Sequence, residues 1–307
     1  MQILPFKEFK QRLEKLNAIP NHLTTVHTVK LFHQEYNKFT NGELYPLHPL
    51  FPDFPYPKYG TSLFRVSNQF SGFEERNTSF FQHPNPSITT LNRCNIAKFP
   101  VFYCSETPEV SLLECVSKKL PLVDSVYYIS EWKVEKAKTW RTLVFLLGEL
   151  PIINPLKNEI DRVIPVIYNL FKNSLTKNEI EEYLSYYNNQ FTSDNSHIFS
   201  SLISHSFLFA NDDCTKNGDL ILYPSVQTKR LGNNYAFNTK FIDDGTIKLT
   251  KAYKIHIDYM CRKSDTTHTF SGNLISVGSP LDETFIQWQN PNEEDYKTYK
   301  EKLIRLI

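Results

Sequence analysis

Five polar side chains lie inside apolar segments, where a charge or a hydroxyl group needs a partner or a function. They are Arg65 in LFRVS, Arg93 in LNRCN, Tyr103 in FPVFYCS, Glu114 in SLLECV and Ser225 in ILYPS. A guanidinium group binds phosphate oxygens in a planar, bidentate way, which lysine cannot match. A carboxylate can stabilise a positive charge that develops on a sugar during glycosidic cleavage. Together these residue types could bind an anionic ligand and stabilise a developing positive charge.

Each of these side chains also has an ordinary structural interpretation. Glu114 stands four residues before Lys118, the spacing of an exposed ion pair on a helix. Ser225 follows a proline, as turn residues often do. The other three also have ordinary interpretations: Arg65 as a strand residue that faces solvent, Arg93 as a surface charge and Tyr103 as a core residue.

Hydrophobic periodicity predicts the elements that would position these residues. Strands are expected for TSLFRVS, for FPVFYCS at 99–105 and for SVYYISEWKV at 125–134. The second strand leads into a helix that is capped by Thr107 and has Pro108 in its first turn. Further helices are predicted at about 157–172, 176–189 and 196–209, then strands at 219–225 and around 253–259, and a helix from about 291.

The order of these elements indicates an α+β fold, since strict βαβ alternation is rare in it. Two amphipathic helical patterns, at 3–17 and from Val26 to Gly42, precede a proline-rich stretch that we expect to be extended and irregular. We therefore predict an N-terminal helical extension over 1–57 and a catalytic domain over 58–307. This domain would contain a helical insert at about 150–210.

Composition argues against several functional classes. The formal net charge is +1 with no basic run, which disfavours nucleic-acid binding. Five cysteines without a CxxC pair fit neither a disulfide framework nor a zinc site, so we expect reduced thiols in a cytoplasmic protein without a metal. No apolar run reaches the ~20 residues of a membrane span, and the charged N-terminus is unlike a secretory signal. Glycine-rich phosphate loops, HExxH and GxSxG are also missing.

The order of the polar residues resembles the pattern of the RES-domain family, which is named for an arginine, a glutamate and a serine. The matching segments are FRVS, NRCN, VFYCSETPEVSLLECV and LYPSVQTKRLGNNYAF, within about residues 61–260. Tyr103 and Glu114, eleven residues apart, form the most specific part. This chain departs from the pattern at Asn92 and Cys94, where the family usually has glycine and an aromatic residue, and it is longer than the compact members.

The resemblance implies an ADP-ribosyltransferase-like mixed β core with flanking helices, and NAD+ as the substrate. Members of the family are mostly toxins of toxin–antitoxin pairs that cleave the nicotinamide–ribose bond or transfer ADP-ribose. It implies that Arg65, Glu114 and Ser225 are catalytic, and that Tyr103 and Arg93 bind the dinucleotide, with Asn234 of GNNYAF on the same wall. It also implies an antitoxin partner, while residues 1–57 could form a lid or a homodimer surface.

Three functions remain open at this point. The chain could degrade NAD+ with water or phosphate as the acceptor, or it could transfer ADP-ribose to a protein. It could also be a non-catalytic module that binds a nucleotide or a partner.

Overall fold

In the computed structural model of the chain, apolar segments separated by turn residues form ten strands within the described residues, and these strands join into one mixed sheet. The structure describes residues 50–303, except 69–73, 117–118, 146–149, 174, 193–196, 210–216 and 265–266, and a few residues between 7 and 34. The helices predicted at 3–17 and 26–42 therefore fall largely outside the described residues, and the few residues described within them are helical. The strands are β1 (Leu50–Phe54), β2 (Ser62–Asn68), β3 (Val101–Ser105), β4 (Leu122–Val134), β5 (Trp140–Val144), β6 (Leu220–Pro224), β7 (Asn233–Asn238), β8 (Ile247–Arg262), β9 (His268–Pro280) and β10 (Ile286–Gln289).

Six α-helices accompany the sheet within the described part of the chain. They are α1 (Pro108–Val116), α2 (Lys157–Phe171), α3 (Lys177–Thr192), α4 (Ile198–Phe209), α5 (Lys240–Asp243) and α6 (Glu293–Leu303). The α+β class predicted from the sequence is confirmed. The helical insert appears as α2, α3 and α4, and α3 begins with a capping box in which Glu179 accepts a hydrogen bond from the Thr176 amide at 2.8 Å. None of the described helices is long and apolar enough to cross a bilayer.

The strand order is β1-β5-β6-β7-β3-β2-β4-β8-β9-β10, and every neighbouring pair is antiparallel except β5 and β6. Long ladders join β4 to β8 and β8 to β9. In contrast, β2 and β3 share the single registered pair Phe64↔Ser105. The sheet is therefore only weakly joined between β2 and β3, next to Arg65.

One prediction about the proline-rich stretch is wrong, since residues 50–54 form the regular strand β1. The strand pairs with β5 and lies at the end of the sheet. An edge position tolerates proline because one side of the strand needs no hydrogen-bond donor. Residues 50–54, on the N-terminal side of position 57, thus contribute to the sheet, and the domain boundary at 57 stays a prediction.

Two apolar clusters stabilise the sheet. The larger one combines side chains of α2, α3 and α4 with β5, β6, β7 and β3, and it includes the stacked rings of Phe145 and Phe191 at 3.6 Å. The smaller cluster combines α1 and α6 with β2, β4, β8 and β9. Helix α1 is thus packed on one part of the sheet while the insert is packed on another.

Candidate functional site

A cleft of about 470 Å³ collects most of the residues that the sequence singled out. This volume lies within the range of small-molecule sites. Five of the six predicted site residues line it, namely Arg65, Arg93, Tyr103, Glu114 and Asn234. The sixth, Ser225, is fully buried and donates a hydrogen bond to Glu114. The structure therefore brings all six predicted residues to one place.

The carboxylate of Glu114 is held by the hairpin that β6 and β7 form. Ser225 Oγ donates to Glu114 Oε1 at 2.6 Å, and Asn234 Nδ2 donates to the same oxygen at 3.0 Å. Oε2 accepts no hydrogen bond from the described residues. One carboxylate oxygen is thus fixed by the protein, and the other can act on a ligand in the cleft.

The orientation of Asn234 is set by Ser105, which the sequence analysis missed. Ser105 ends β3 and pairs with Asn234 across the sheet. Its hydroxyl donates to Asn234 Oδ1 at 2.7 Å, which directs the amide nitrogen toward Glu114. The sequence indicated Ser105 only through its position, since it ends the apolar strand that contains Tyr103 two residues before it.

The turn that carries Ser225 suits a serine, because Ser225 Oγ accepts from the Thr228 N–H at 3.3 Å within it. Its backbone N–H donates to Gly232 O at 2.8 Å, and its carbonyl accepts from the Arg230 N–H at 2.8 Å. The turn interpretation is therefore correct, and the hydroxyl still binds Glu114. A side chain at Gly232 would collide with Val110 of α1, because an added Cβ would lie 2.3 Å from Val110 Cγ2. This turn is packed directly on the helix that carries Glu114.

Arg65 lies at the weak junction of β2 and β3 and does not face solvent as a surface strand residue would. Its side chain is half-buried and lies over the ring of Phe102, with 5.8 Å between Cζ and the ring centroid. Nη1 donates to the carbonyl of Tyr103 at 3.1 Å, while the buried Nε has no hydrogen-bond partner among the described residues. Burial lowers the pKa of Arg65. The solvent-facing interpretation of Arg65 is wrong.

Tyr103 and Arg93 are linked through the loop that precedes β3. The Tyr103 hydroxyl accepts from the Cys94 N–H at 2.7 Å and donates to Asn95 Oδ1 at 2.9 Å. Burial raises the pKa of Tyr103 well above its usual value. Arg93 is only 9% exposed, so its interpretation as a surface charge is wrong. The phenol anchors the loop that places Arg93 in the cleft, a role the sequence did not suggest.

The alternatives for Glu114 and Tyr103 are resolved only in part. Lys118, the predicted ion-pair partner of Glu114, lies outside the described residues. Tyr103 is partly buried against the larger apolar cluster and also lines the cleft. Its core interpretation and its site interpretation are therefore compatible.

Several lining residues were not anticipated from the sequence. His197 enters from the helical insert, directly before α4. Helix α4 is held against the loop before β3 by Phe99, whose ring lies 4.5 Å from that of His205. Among the described lining residues, Glu114 has the sole carboxylate, opposite two arginines. The remaining unanticipated polar lining residues include Asn92, Asn95, Ser111, Tyr223 and Gln227.

No group of three or more histidine, cysteine, aspartate or glutamate side chains in the described part of the chain is arranged to hold a metal ion. Cys94, Cys104, Cys115 and Cys261 are free thiols, and Cys214 lies outside the described residues. Two of these thiols, Cys104 and Cys115, line the cleft, and burial raises the pKa of both. The described lining therefore offers one carboxylate, two guanidinium groups, two thiols that burial keeps protonated, and other hydrogen-bonding side chains.

Comparison with known proteins adds no name to this site. The sequence matches no protein-family model, and no curated protein matches it.

Proposed function

We propose that the chain cleaves NAD+ at the bond between nicotinamide and ribose. The observation that carries the proposal is the fixed carboxylate of Glu114, with Oε1 bound by Ser225 and Asn234 and Oε2 available in a cleft that also contains Arg65 and Arg93. The resemblance of the sequence to the RES-domain pattern supports the same assignment. Both lines of support involve the same residues.

Glu114 would stabilise the oxocarbenium character of the ribose as the bond breaks. At about 4 Å and an effective dielectric constant near 20, the attraction is about 4 kcal/mol. Stabilisation of this size corresponds to about three decades of rate. Ser225 and Asn234 would hold the carboxylate in position beforehand, so that little reorganisation is needed in the transition state.

The presence of one carboxylate in the described lining suits this particular leaving group. Glycosidases that cleave O-glycosides use two carboxyl groups, one of which protonates the departing oxygen. The pyridinium nitrogen of NAD+ already carries a positive charge. When the C1′–N bond breaks, its electron pair stays with nicotinamide, which leaves neutral without a proton from the enzyme. Water or phosphate then forms a bond to C1′ and loses its proton to the solvent.

Arg65 and Arg93 would bind the pyrophosphate. Their fixed fork of N–H donors matches phosphate oxygens, and binding would also neutralise the charge of the dinucleotide. Arg65 Nε is buried without a partner among the described residues, so a phosphate oxygen within its reach would satisfy it. Tyr103, whose hydroxyl is occupied by the loop, could offer only its ring to nicotinamide.

The assignment of a specific fold type is part of the same proposal. We propose that the mixed sheet is of the ADP-ribosyltransferase type and that the cleft beside the β2–β3 junction is its dinucleotide site. The single registered pair Phe64↔Ser105 supports this, since it leaves room for a ligand between the elements that carry Arg65 and Tyr103. A toxin role in the cytoplasm and an antitoxin that covers the cleft are parts of the proposal supported by the resemblance alone.

The test is incubation of the purified protein with NAD+ labelled in the adenylate, with and without phosphate and a cell extract. Release of nicotinamide together with free ADP-ribose, or with its phosphate, supports the proposal. Label that becomes attached to protein would instead indicate ADP-ribosyl transfer. Intact NAD+ after long incubation would contradict both enzymatic functions and leave a binding module.

A further inference from the structure

A second carboxylate, Glu106, lies beside the candidate site and faces Asn233. Glu106 Oε1 accepts from the backbone N–H of Asn233 at 3.0 Å, and Oε2 accepts from Asn233 Nδ2 at 2.9 Å. Both carboxylate oxygens are thus occupied by one residue of β7. Glu106 is partly buried and does not line the cleft, so it has no direct access to a ligand there.

Asn233 extends this contact to the helical insert. It exchanges two side-chain hydrogen bonds with Asn154, at 3.0 and 3.1 Å, just before α2 begins. Asn154 Nδ2 also donates to Arg230 O at 2.7 Å, in the turn that carries Ser225. A continuous network therefore runs from the end of β3, through the start of β7, to the insert and the turn.

We propose that Glu106 is a positioning residue that fixes the β6–β7 hairpin so that Ser225 and Asn234 meet Glu114 in the reactive geometry. The inference rests on the proposed NAD+ cleavage and assigns a residue that acts on the reaction only through others. Asn233 and Asn234 are neighbours in β7, and successive side chains of a strand leave on opposite faces. Glu106 holds the first of them, and the second binds Glu114.

The ionised form of Glu106 suits this role because it can accept both hydrogen bonds from Asn233 at full strength. Burial raises the pKa of Glu106 to about 7, an effect that the two bonds from Asn233 partly offset. Among the described titratable side chains, Tyr235 of β7 is affected by the charge of Glu106. Burial raises the pKa of Tyr235 well above its usual value, and the negative charge of Glu106 raises it further. Protonation of Glu106 near neutral pH would relieve the cost of the buried charge but remove a strong acceptor for Asn233, so we expect it to change the position of the hairpin and not to destabilise the fold.

The decisive experiment measures nicotinamide release from pH 5.5 to 9 for the wild type, Glu106→Gln and His197→Gln. His197 is included because it lines the cleft and histidine titrates in the same range. The wild-type kcat is expected to fall by about tenfold from pH 8 to pH 6 as Glu106 takes up a proton. Glu106→Gln should remove this inflection and lower kcat at pH 8 by about tenfold, with KM for NAD+ within about twofold of the wild type. The inflection should persist in His197→Gln.

A second readout needs no turnover and still applies if Glu106→Gln is inactive. Amide hydrogen exchange of segment 225–233 at pH 8 should be faster in a folded Glu106→Gln than in the wild type, and Glu131→Gln should leave it unchanged. If Glu106→Gln does not fold, the NMR signal of the Asn234 side-chain amide in the wild type, followed from pH 6 to pH 8, shows whether the hairpin moves as Glu106 titrates. Unchanged kcat, pH profile and exchange would overturn the positioning role. A wild type that releases no nicotinamide would refute the proposed function, and exchange would still decide the role of Glu106.

Discussion

Glu106 and Glu114 are two carboxylates held by the same hairpin, and they differ in how many of their oxygens the protein occupies. Asn233 binds both oxygens of Glu106, whereas Ser225 and Asn234 bind only Oε1 of Glu114. A carboxylate that has both oxygens bound by the protein and does not line the cleft can stabilise structure but does not reach a ligand there. A carboxylate with one oxygen left over in a cleft can do both. The geometry thus distinguishes the carboxylate that we propose as a support from the one that we propose to react.

The comparison also explains the consecutive asparagines of the sequence GNNYAF. Because strand residues alternate between faces, Asn233 and Asn234 can serve two different carboxylates without competing. Ser105 fixes the second amide from the neighbouring strand. Replacing either asparagine would thus affect one carboxylate directly and the other only through the hairpin.

The largest expected effect concerns the reacting carboxylate. Glu114→Gln keeps the shape of the side chain but removes its charge, so we expect nicotinamide release to fall by about 10³-fold, since about 4 kcal/mol of charge stabilisation is lost. The measurement is kcat at saturating NAD+. Glu131→Gln is the matched control, because Glu131 also accepts from a serine, Ser62 at 2.7 Å, but does not line the cleft. Equal losses of kcat in Glu114→Gln and Glu131→Gln would show that Glu114 has no special role in the reaction.

A smaller effect is expected for Arg65→Lys, which keeps the charge of the cleft but loses the planar fork of donors. We expect KM for NAD+ to rise by about 30-fold with a lesser change in kcat, because phosphate contacts act in both the ground state and the transition state. Arg162→Lys, an exposed substitution on α2, serves as the control. A normal KM in Arg65→Lys would show that this arginine does not bind the dinucleotide.

The supporting carboxylate should reveal itself in stability as a function of pH. Burial raises the pKa of Glu106 to about 7, above its value of about 4.5 in an unfolded chain, so its contribution to stability is lost as the pH rises through 7. Glu106→Gln lacks this titration. Its free energy of unfolding relative to the wild type should therefore increase by about 2 kcal/mol from pH 5.5 to pH 8. Urea denaturation at both pH values measures it, and a constant difference would contradict the assigned pKa.

The smallest effect is expected for Tyr103→Phe, which separates the anchoring hydroxyl from the ring. The variant loses the acceptor for the Cys94 N–H and the donor to Asn95, and we expect a destabilisation of about 1–2 kcal/mol. KM for NAD+ should rise only modestly, through the displaced loop that carries Arg93. A large fall in kcat with unchanged stability would instead assign the hydroxyl to the reaction.

Local sequence patterns were sufficient for the elements that carry the site. The apolar runs around Arg65 and Tyr103 became β2 and β3, and Thr107 caps α1 by accepting from the Val110 N–H at 3.3 Å. Capping and apolar periodicity act over a few residues, so they can be read locally. The confirmed elements are those whose signals lie within one segment.

The elements that were not predicted depend on partners elsewhere in the chain. β9 contains serines and two glycines, which favour strands poorly, yet its long ladder with β8 overrides that preference. Gly272 is required there because an added Cβ would lie 2.4 Å from His256 O. β7 begins with two asparagines, and β1 contains a proline. None of these features indicates a strand without knowledge of the neighbour.

The contacts within the site could not be predicted from local sequence patterns either. Ser225 and Glu114 are separated by 111 positions, and no local period predicts their 2.6 Å hydrogen bond. The resemblance to the RES-domain pattern supplied that grouping in advance. It did not supply Ser105, Glu106 or Asn233, whose roles follow from strand register.

The most direct test of NAD+ cleavage at Glu114 is a crystal structure of Glu114→Gln with NAD+ bound. We expect the ribose C1′ within about 4 Å of the residue 114 side chain, the distance over which a carboxylate would stabilise the developing charge. We also expect the pyrophosphate to contact Arg65. A dinucleotide bound outside this cleft, or with its nicotinamide end directed away from residue 114, would refute the role proposed for Glu114.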